Sequence, residues 1–278
     1  MIDRARTRPP EQRPDDAAGG TPRLPASLRR RSDGPVDVIE LARPEKRNAL
    51  DNTTVQGLEA YFRAVPAGVR AVVIAADGGH FCAGLDLNTM DESDVFQGVL
   101  HSRMWHRALD ALICSPVPIF SVLKGAVIGG GLELASATHV RIAERSAFYA
   151  LPEGQHGLFV GGGASVRLPR LIGAARMTDM MLTGRRYDAE EGGRIGLTQY
   201  VVDDGDGLAT AVDLAHRAAG NSPITNYGIL HVLPRTAEAN PNEGYLIESL
   251  MAGIASGSEE AKARMRSFLD RAGAGALG

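Results

Sequence analysis

Apolar positions along the chain gather into short runs separated by longer amphipathic stretches. Val36-Asp37-Val38-Ile39-Glu40-Leu41 alternates as a half-buried strand does. Ala71 to Ala76 is apolar throughout, and Pro118 to Leu123 nearly so, which suits strands covered on both faces. Val140-Arg141-Ile142-Ala143 reads as another strand. Arg43 to Leu50 reads as a loop, and Asp51 as the N-cap of a helix running to about Arg63. Residues 94–113 carry helical spacing and stop before Pro116, while Gly125 to Gly131 reads as a loop and Leu132 to about Thr138 as the start of a helix. Residues 161–182 predict a glycine turn and then helices punctuated by Pro169. The stretch 207–278 reads as mostly helical, with breaks at Pro223 and Pro241. Strands alternating with helices predict an α/β chain with crossover connections.

Composition changes this picture at the N-terminus. Residues 1–32 mix Arg4, Arg6, Arg8, Arg13, Arg23 and Arg29-Arg30-Arg31 with five prolines and few large apolar residues. Such a segment buries too little surface to offset its ordering entropy, so it reads as a flexible tail, with order starting near Asp37. The expected organisation is a tail over 1–32, a core over 33–206 and a helical region over 207–278. A net charge of −3 offers no global basic field, so nucleic acid is not an expected partner. Cys82 and Cys114 lack metal-ligand spacing and read as small buried residues of a reduced, cytoplasmic protein. No apolar run is long enough to span a membrane.

The candidate chemistry lies in glycine-rich turns. Gly129-Gly130-Gly131-Leu132-Glu133 follows a strand and opens a helix, a setting with free N–H groups and a positive dipole end. Leu151-Pro152-Glu153-Gly154 holds a second carboxyl, and Phe81-Cys82-Ala83-Gly84-Leu85-Asp86 forms another turn. Carboxyls beside exposed N–H groups can move protons while the N–H groups hold developing negative charge. No Gly-x-Gly-x-x-Gly lies in a strand–helix context, no Gly-Lys-Ser/Thr phosphate loop follows, and no Gly-x-Ser-x-Gly elbow occurs.

In this order and spacing the pieces resemble the crotonase superfamily, the enoyl-CoA hydratase/isomerase family, from about Val36 to Val202. The resemblance is carried by Leu41-Ala42-Arg43-Pro44 with Asn48-Ala49-Leu50, by Phe81 to Leu87, by Gly125 to Ala135, and by Phe148 to Gly154 with Gly161-Gly162-Gly163. It implies a crotonase-type ββα spiral core with a C-terminal helical trimerisation region, and a homotrimer or hexamer. It implies that the N–H groups of Leu85 and Gly130 form an oxyanion hole for the thioester oxygen of an acyl-CoA. Glu133 would activate the water that attacks the β-carbon, and Glu153 would protonate the α-carbon. Of two carboxyls sharing a site, one should keep its proton near neutrality. Arg43, Lys46, Arg47 and Ala49 would lie along CoA. Ala83, Asp86, Leu87, Met90 and Gly161 would border pantetheine and acyl group, with Trp105 on a roofing helix. No metal or redox cofactor is implied, CoA arriving as part of the substrate.

Keeping both glutamates favours hydration of a trans-2-enoyl-CoA. An isomerase, a hydroxycinnamoyl-CoA hydratase-lyase and a non-catalytic CoA- or RNA-binding member stay open. The chain departs from the family at Val160, where many hydratases have proline, at Gln155 and His156, and in a last helix without the usual Glu-Gly pair.

Overall fold

The computed structural model describes residues 22–86 and 94–275. Leu87, Met90 and the first 21 residues of the expected tail lie outside them. Among the described residues nine strands form two sheets. The larger is ordered β1 (Leu28–Asp33), β2 (Val36–Leu41), β3 (Ala71–Ala76), β4 (Ile119–Leu123), β6 (Val140–Glu144) and β9 (Tyr200–Val202). Its strands run parallel except β1, which pairs antiparallel with β2. The smaller joins β5 (Ala126–Ile128), β7 (Phe148–Ala150) and β8 (Tyr187–Asp188). The helices are α1 (Asn52–Arg63), α2 (Val95–Ile113), α3 (Gly130–Ser136), α4 (Ala164–Ile172), α5 (Ala174–Thr183), α6 (Ala189–Ile195), α7 (Gly207–Ala219), α8 (Pro223–Tyr227), α9 (Leu233–Glu238), α10 (Pro241–Gly257) and α11 (Glu259–Gly275). Among the described residues no helix is long and apolar enough to cross a membrane.

The large sheet is buried on both faces. Val36, Val38, Ala71, Val73, Ala75, Phe120 and Val122 pack with the alanines of α7, Ala211, Ala215 and Ala219. Ile39, Leu41, Val72, Ile74, Ile119 and Leu123 face the larger core with α1, α2 and the small sheet. The alternating β2 is therefore covered on both sides, not half-buried as its sequence suggests. One of its two acids is taken inside: Asp37 is fully buried and accepts from Arg30 Nε at 2.6 Å, from Ser32 Oγ at 2.7 Å and from the Tyr61 hydroxyl.

That same network moves the start of the ordered core. Arg30 and Ser32 lie on β1, inside the segment read as tail, and β1 is a full edge strand. Arg-rich composition hides it because β1 offers Leu28 alone to the core and supplies Asp37's partners from its other positions. Elsewhere Pro169 sits inside α4 instead of ending a helix, with the stop four residues later at Gly173. The stretch 125–131 is only partly loop, since it contains β5 and the start of α3. Pro223 and Pro241 open α8 and α10 at their first turns, where a missing N–H costs nothing. Cys82 is buried, but Cys114 is exposed at the end of α2.

Candidate active site

Segment 81–86 is threaded between the small sheet and loop 43–50. On one side Cys82 bridges β5, donating its N–H to Ala126 O at 2.9 Å and accepting from Ile128 N at 3.1 Å. On the other, Leu50 donates to Gly84 O at 2.8 Å and accepts from Asp86 N at 2.9 Å. The Leu85 N–H shares a trans peptide plane with the Gly84 carbonyl, so the two point in opposite directions. Bonding both neighbours of Leu85 to Leu50 therefore turns Leu85's own N–H away from the loop. Among the described residues, no acceptor takes the N–H of Leu85 or of Gly130.

Glycine brings these two amides together. Gly129 has φ 51° and ψ −120°, a conformation other residues avoid, and a Cβ there would stand 2.8 Å from Glu153 Oε1. A Cβ on Gly131 would meet Cys82 O at 2.5 Å, so only glycine lets α3 start this close to segment 81–86. A Cβ on Gly130 would lie 3.4 Å from Leu85 N and 3.0 Å from the Trp105 ring. The two free N–H groups thus neighbour one another, beside the indole.

Glu133, in the first turn of α3, is buried. Its Oε1 accepts from Gly162 N at 2.8 Å and Ala164 N at 3.1 Å, which fixes the carboxyl and leaves Oε2 toward Gly162 and Trp105. Arg167 braces this clamp from behind, donating to Glu133 O at 3.0 Å and Gly162 O at 2.8 Å. Glu153 opens a 3-10 turn over 153–156. Its Oε2 is buried with no hydrogen-bond partner among the described residues. Burial, reinforced by the charge of Glu133, raises its carboxyl to about 7.

Both glutamates and both amides line one cavity of about 620 Å³. Its remaining wall is mostly apolar, with Val95, Val99, Trp105, Leu158 and Phe159, and it carries His101, Ser102, Arg103 and His156 as polar points. The profile of the enoyl-CoA hydratase/isomerase family matches residues 31–274. The chain belongs to that family. Enoyl-CoA hydratase EchA19 of Mycobacterium tuberculosis is 29% identical over 239 residues, covering 84% of this chain and 90% of that one. YngF of Bacillus subtilis, provisionally named an enoyl-CoA hydratase/isomerase, is 33% identical over 217 residues, 76% of this chain and 82% of its own. A Rhodopseudomonas palustris crystal structure, provisionally named an enoyl-CoA hydratase, superposes with a TM-score of 0.88 at 53% identity, covering 89% of this chain and 96% of that one. The α/β architecture with its C-terminal helices is thus the crotonase fold.

Of the family-site residues expected from the sequence, Ala83, Leu85, Gly130, Glu133, Glu153 and Gly161 meet at the cavity. Lys46 and Arg47 stay exposed on loop 43–50. Arg43 and Asp86, expected along the ligand, pair with each other at 2.7 Å, and Ala49 turns its carbonyl to Arg43 at 2.9 Å. The Gly162 and Ala164 N–H groups and Arg167 form a part of the site that residue-by-residue reading missed. The signal was the second glycine triplet, 161–163, whose middle member would carry a Cβ 2.9 Å from Glu133 Oε2. Cys82 lies directly behind the amides but burial pushes its thiol up to about 12, so it serves as packing.

Proposed function

We propose that the protein is an enoyl-CoA hydratase that adds water reversibly, and syn, to a trans-2-enoyl-CoA to give a 3-hydroxyacyl-CoA. The observation that carries this reading is the pair of unlike carboxyls in one cavity with two free amides. The thioester oxygen accepts from the N–H of Leu85 and of Gly130. Charge grows on that oxygen as water adds, and losing one such donor costs about 2.7–4 kcal/mol of barrier. Glu133, held by two N–H groups on Oε1, uses Oε2 to orient water and take its proton. Glu153, with its carboxyl raised to about 7, gives a proton to the α-carbon. CoA enters as part of the substrate, and no further cofactor takes part in these steps. Exposed Tyr245, Leu246, Leu250 and Ile254 on α10 support assembly of copies into a trimer or hexamer. A cytoplasmic setting fits the two unpaired thiols.

Crotonyl-CoA mixed with the purified protein should lose its conjugated absorbance. Persistence of that absorbance with every enoyl-CoA tried removes the claim. Glu133→Ala separates hydration from isomerisation. A hydratase should lose about 10²–10⁴-fold in rate, whereas an isomerase working through Glu153 alone should keep most of its activity.

A further inference from the structure

We propose that Arg43 and Asp86 are positioning residues that aim the Leu85 N–H at the thioester oxygen, and that Arg43 is not a contact for CoA. This rests on the hydratase reading.

The first observation is how fully Arg43 is engaged. Its side chain is only one-fifth exposed. Nη2 reaches Asp86 Oδ2 at 2.7 Å, while Nη1 reaches Asp51 Oδ2 at 3.0 Å and Ala49 O at 2.9 Å. A planar fork meeting acceptors from three directions fixes their relative positions in a way a single ammonium cannot. It also leaves little of the guanidinium to meet a phosphate.

The second observation is where these acceptors sit. Asp86 follows Leu85 directly. Ala49 and Asp51 flank Leu50, the residue that bonds Gly84 O and Asp86 N. The fork thus ties the neighbours of Leu50 to the residue after Leu85, and the two backbone bonds that orient Leu85 lie inside this frame. Asp86 is 5% exposed, so its charge is held by partners and not by water.

Loop 43–50 is itself stiff. Arg47 and Asn48 both take left-handed conformations, at φ 49° and 56°. Asn48 accepts from Arg43 N at 2.9 Å and donates to Asp77 O at 2.8 Å and His80 O at 2.9 Å. The fork therefore braces Leu85 against a rigid template. Gly130, the other amide, is placed by α3 and β5 and owes nothing to the pair.

The test compares Arg43→Gln, Arg43→Lys and Asp86→Asn with the unaltered protein in three measurements. They are kcat and KM on crotonyl-CoA, Kd for free CoA, and the enolate absorbance of bound acetoacetyl-CoA, which reads the oxyanion site without turnover. Arg43→Gln and Asp86→Asn should each lower kcat about 100-fold, as small misplacements of catalytic groups do. KM and the Kd for CoA should stay within about two-fold, and the bound enolate fraction should fall. Arg43→Lys should recover only part of kcat, since it cannot meet three acceptors together. Should Arg43→Gln not fold, Asp86→Asn carries the same comparison. A rise of about ten-fold in KM and in the Kd for CoA, with kcat held, would make Arg43 a ligand contact and overturn the proposal. A fall in kcat with the enolate fraction unchanged would reduce the pair to general scaffolding and overturn it too. Failure of the unaltered protein to hydrate any thioester would sink the hydratase reading alone, because the enolate measurement still reports on the pair.

Discussion

Raising the pH should switch off hydration and dehydration together. The hydrating state has Glu133 ionised and Glu153 protonated. After one turnover water's proton is on Glu133 and Glu153 has given its proton away. Each state holds one proton on the pair, so the singly protonated pair is the active species in both directions. Burial first, then the charge of Glu133, places the loss of that proton at about 7. The active fraction is then roughly one half at pH 7, about one tenth at pH 8 and about one hundredth at pH 9. Rates at low substrate concentration report the free enzyme, so kcat/KM should fall about ten-fold per pH unit above 8. The forward rate is read as loss of conjugated absorbance with crotonyl-CoA, and the reverse as its gain with 3-hydroxybutyryl-CoA. Both descending limbs should coincide. Limbs of opposite sign, or a forward rate flat up to pH 9, would refute the shared-proton argument. Stability follows the same group. A carboxyl raised in the folded state binds its proton more tightly than the unfolded chain does, at about 4.3. Its contribution is present in full below that value and is lost as pH rises through about 7. Glu153→Gln should remove this slope from the thermal midpoint.

Other outcomes follow from single contacts. Gly162→Ala puts a methyl 2.9 Å from Glu133 Oε2 and 3.0 Å from Trp105, so kcat should drop by roughly 10–100-fold while a denaturant melt moves little. Trp105 is the chain's one tryptophan and lines the cavity, so crotonyl-CoA should change intrinsic fluorescence in a saturable way that Glu133→Ala preserves. Arg30→Met takes the counter-charge from the buried Asp37 carboxylate and leaves it Ser32 and Tyr61 as donors. Urea melts at pH 7 should lose about 3 kcal/mol, the low end for a broken buried pair because Arg30 is a quarter exposed.

Legibility in the sequence tracked the range of the interactions involved. The apolar run Ala71 to Ala76 and the helix capped by Asp51 are local facts, and Thr54 N does donate to Asp51 Oδ1 at 2.7 Å. The strand β1 was hidden because its stability comes from Arg30 meeting Asp37 across the sheet, with only Leu28 to offer the core. Strands β5, β7 and β8 span two or three residues each, too short for periodicity to register. Glu133 and Glu153 stood out through their glycine settings. The clamp on Glu133 did not, because it consists of backbone N–H groups that every sequence carries. Nor could spacing reveal that Arg43 and Asp86, 43 positions apart, pair with each other while Lys46 and Arg47 stay exposed on that loop.

The most telling residue outside the cavity is Asn48. It is 2% exposed and left-handed, and its side chain closes loop 43–50 with three hydrogen bonds. Two separate costs should appear on replacing it. Removing the amide strands the Arg43 N–H and two carbonyls in a buried setting, at about 1–3 kcal/mol for such groups. A Cβ in the left-handed region adds about 1–2 kcal/mol, relieved in part by the short polar side chain of asparagine but not by alanine. Asn48→Gly incurs the first cost and escapes the second, whereas Asn48→Ala incurs both. Urea melts should therefore rank the native chain above Asn48→Gly, and Asn48→Gly above Asn48→Ala by about 1 kcal/mol. Because Arg47 O also holds Ala83 N at 3.0 Å, loosening the loop should lower kcat in both variants. If alanine and glycine behave alike, no strain is held at this position. If both match the native chain, the loop is not the rigid template that holds Leu85, and the amide must be oriented by the Cys82 bridge alone.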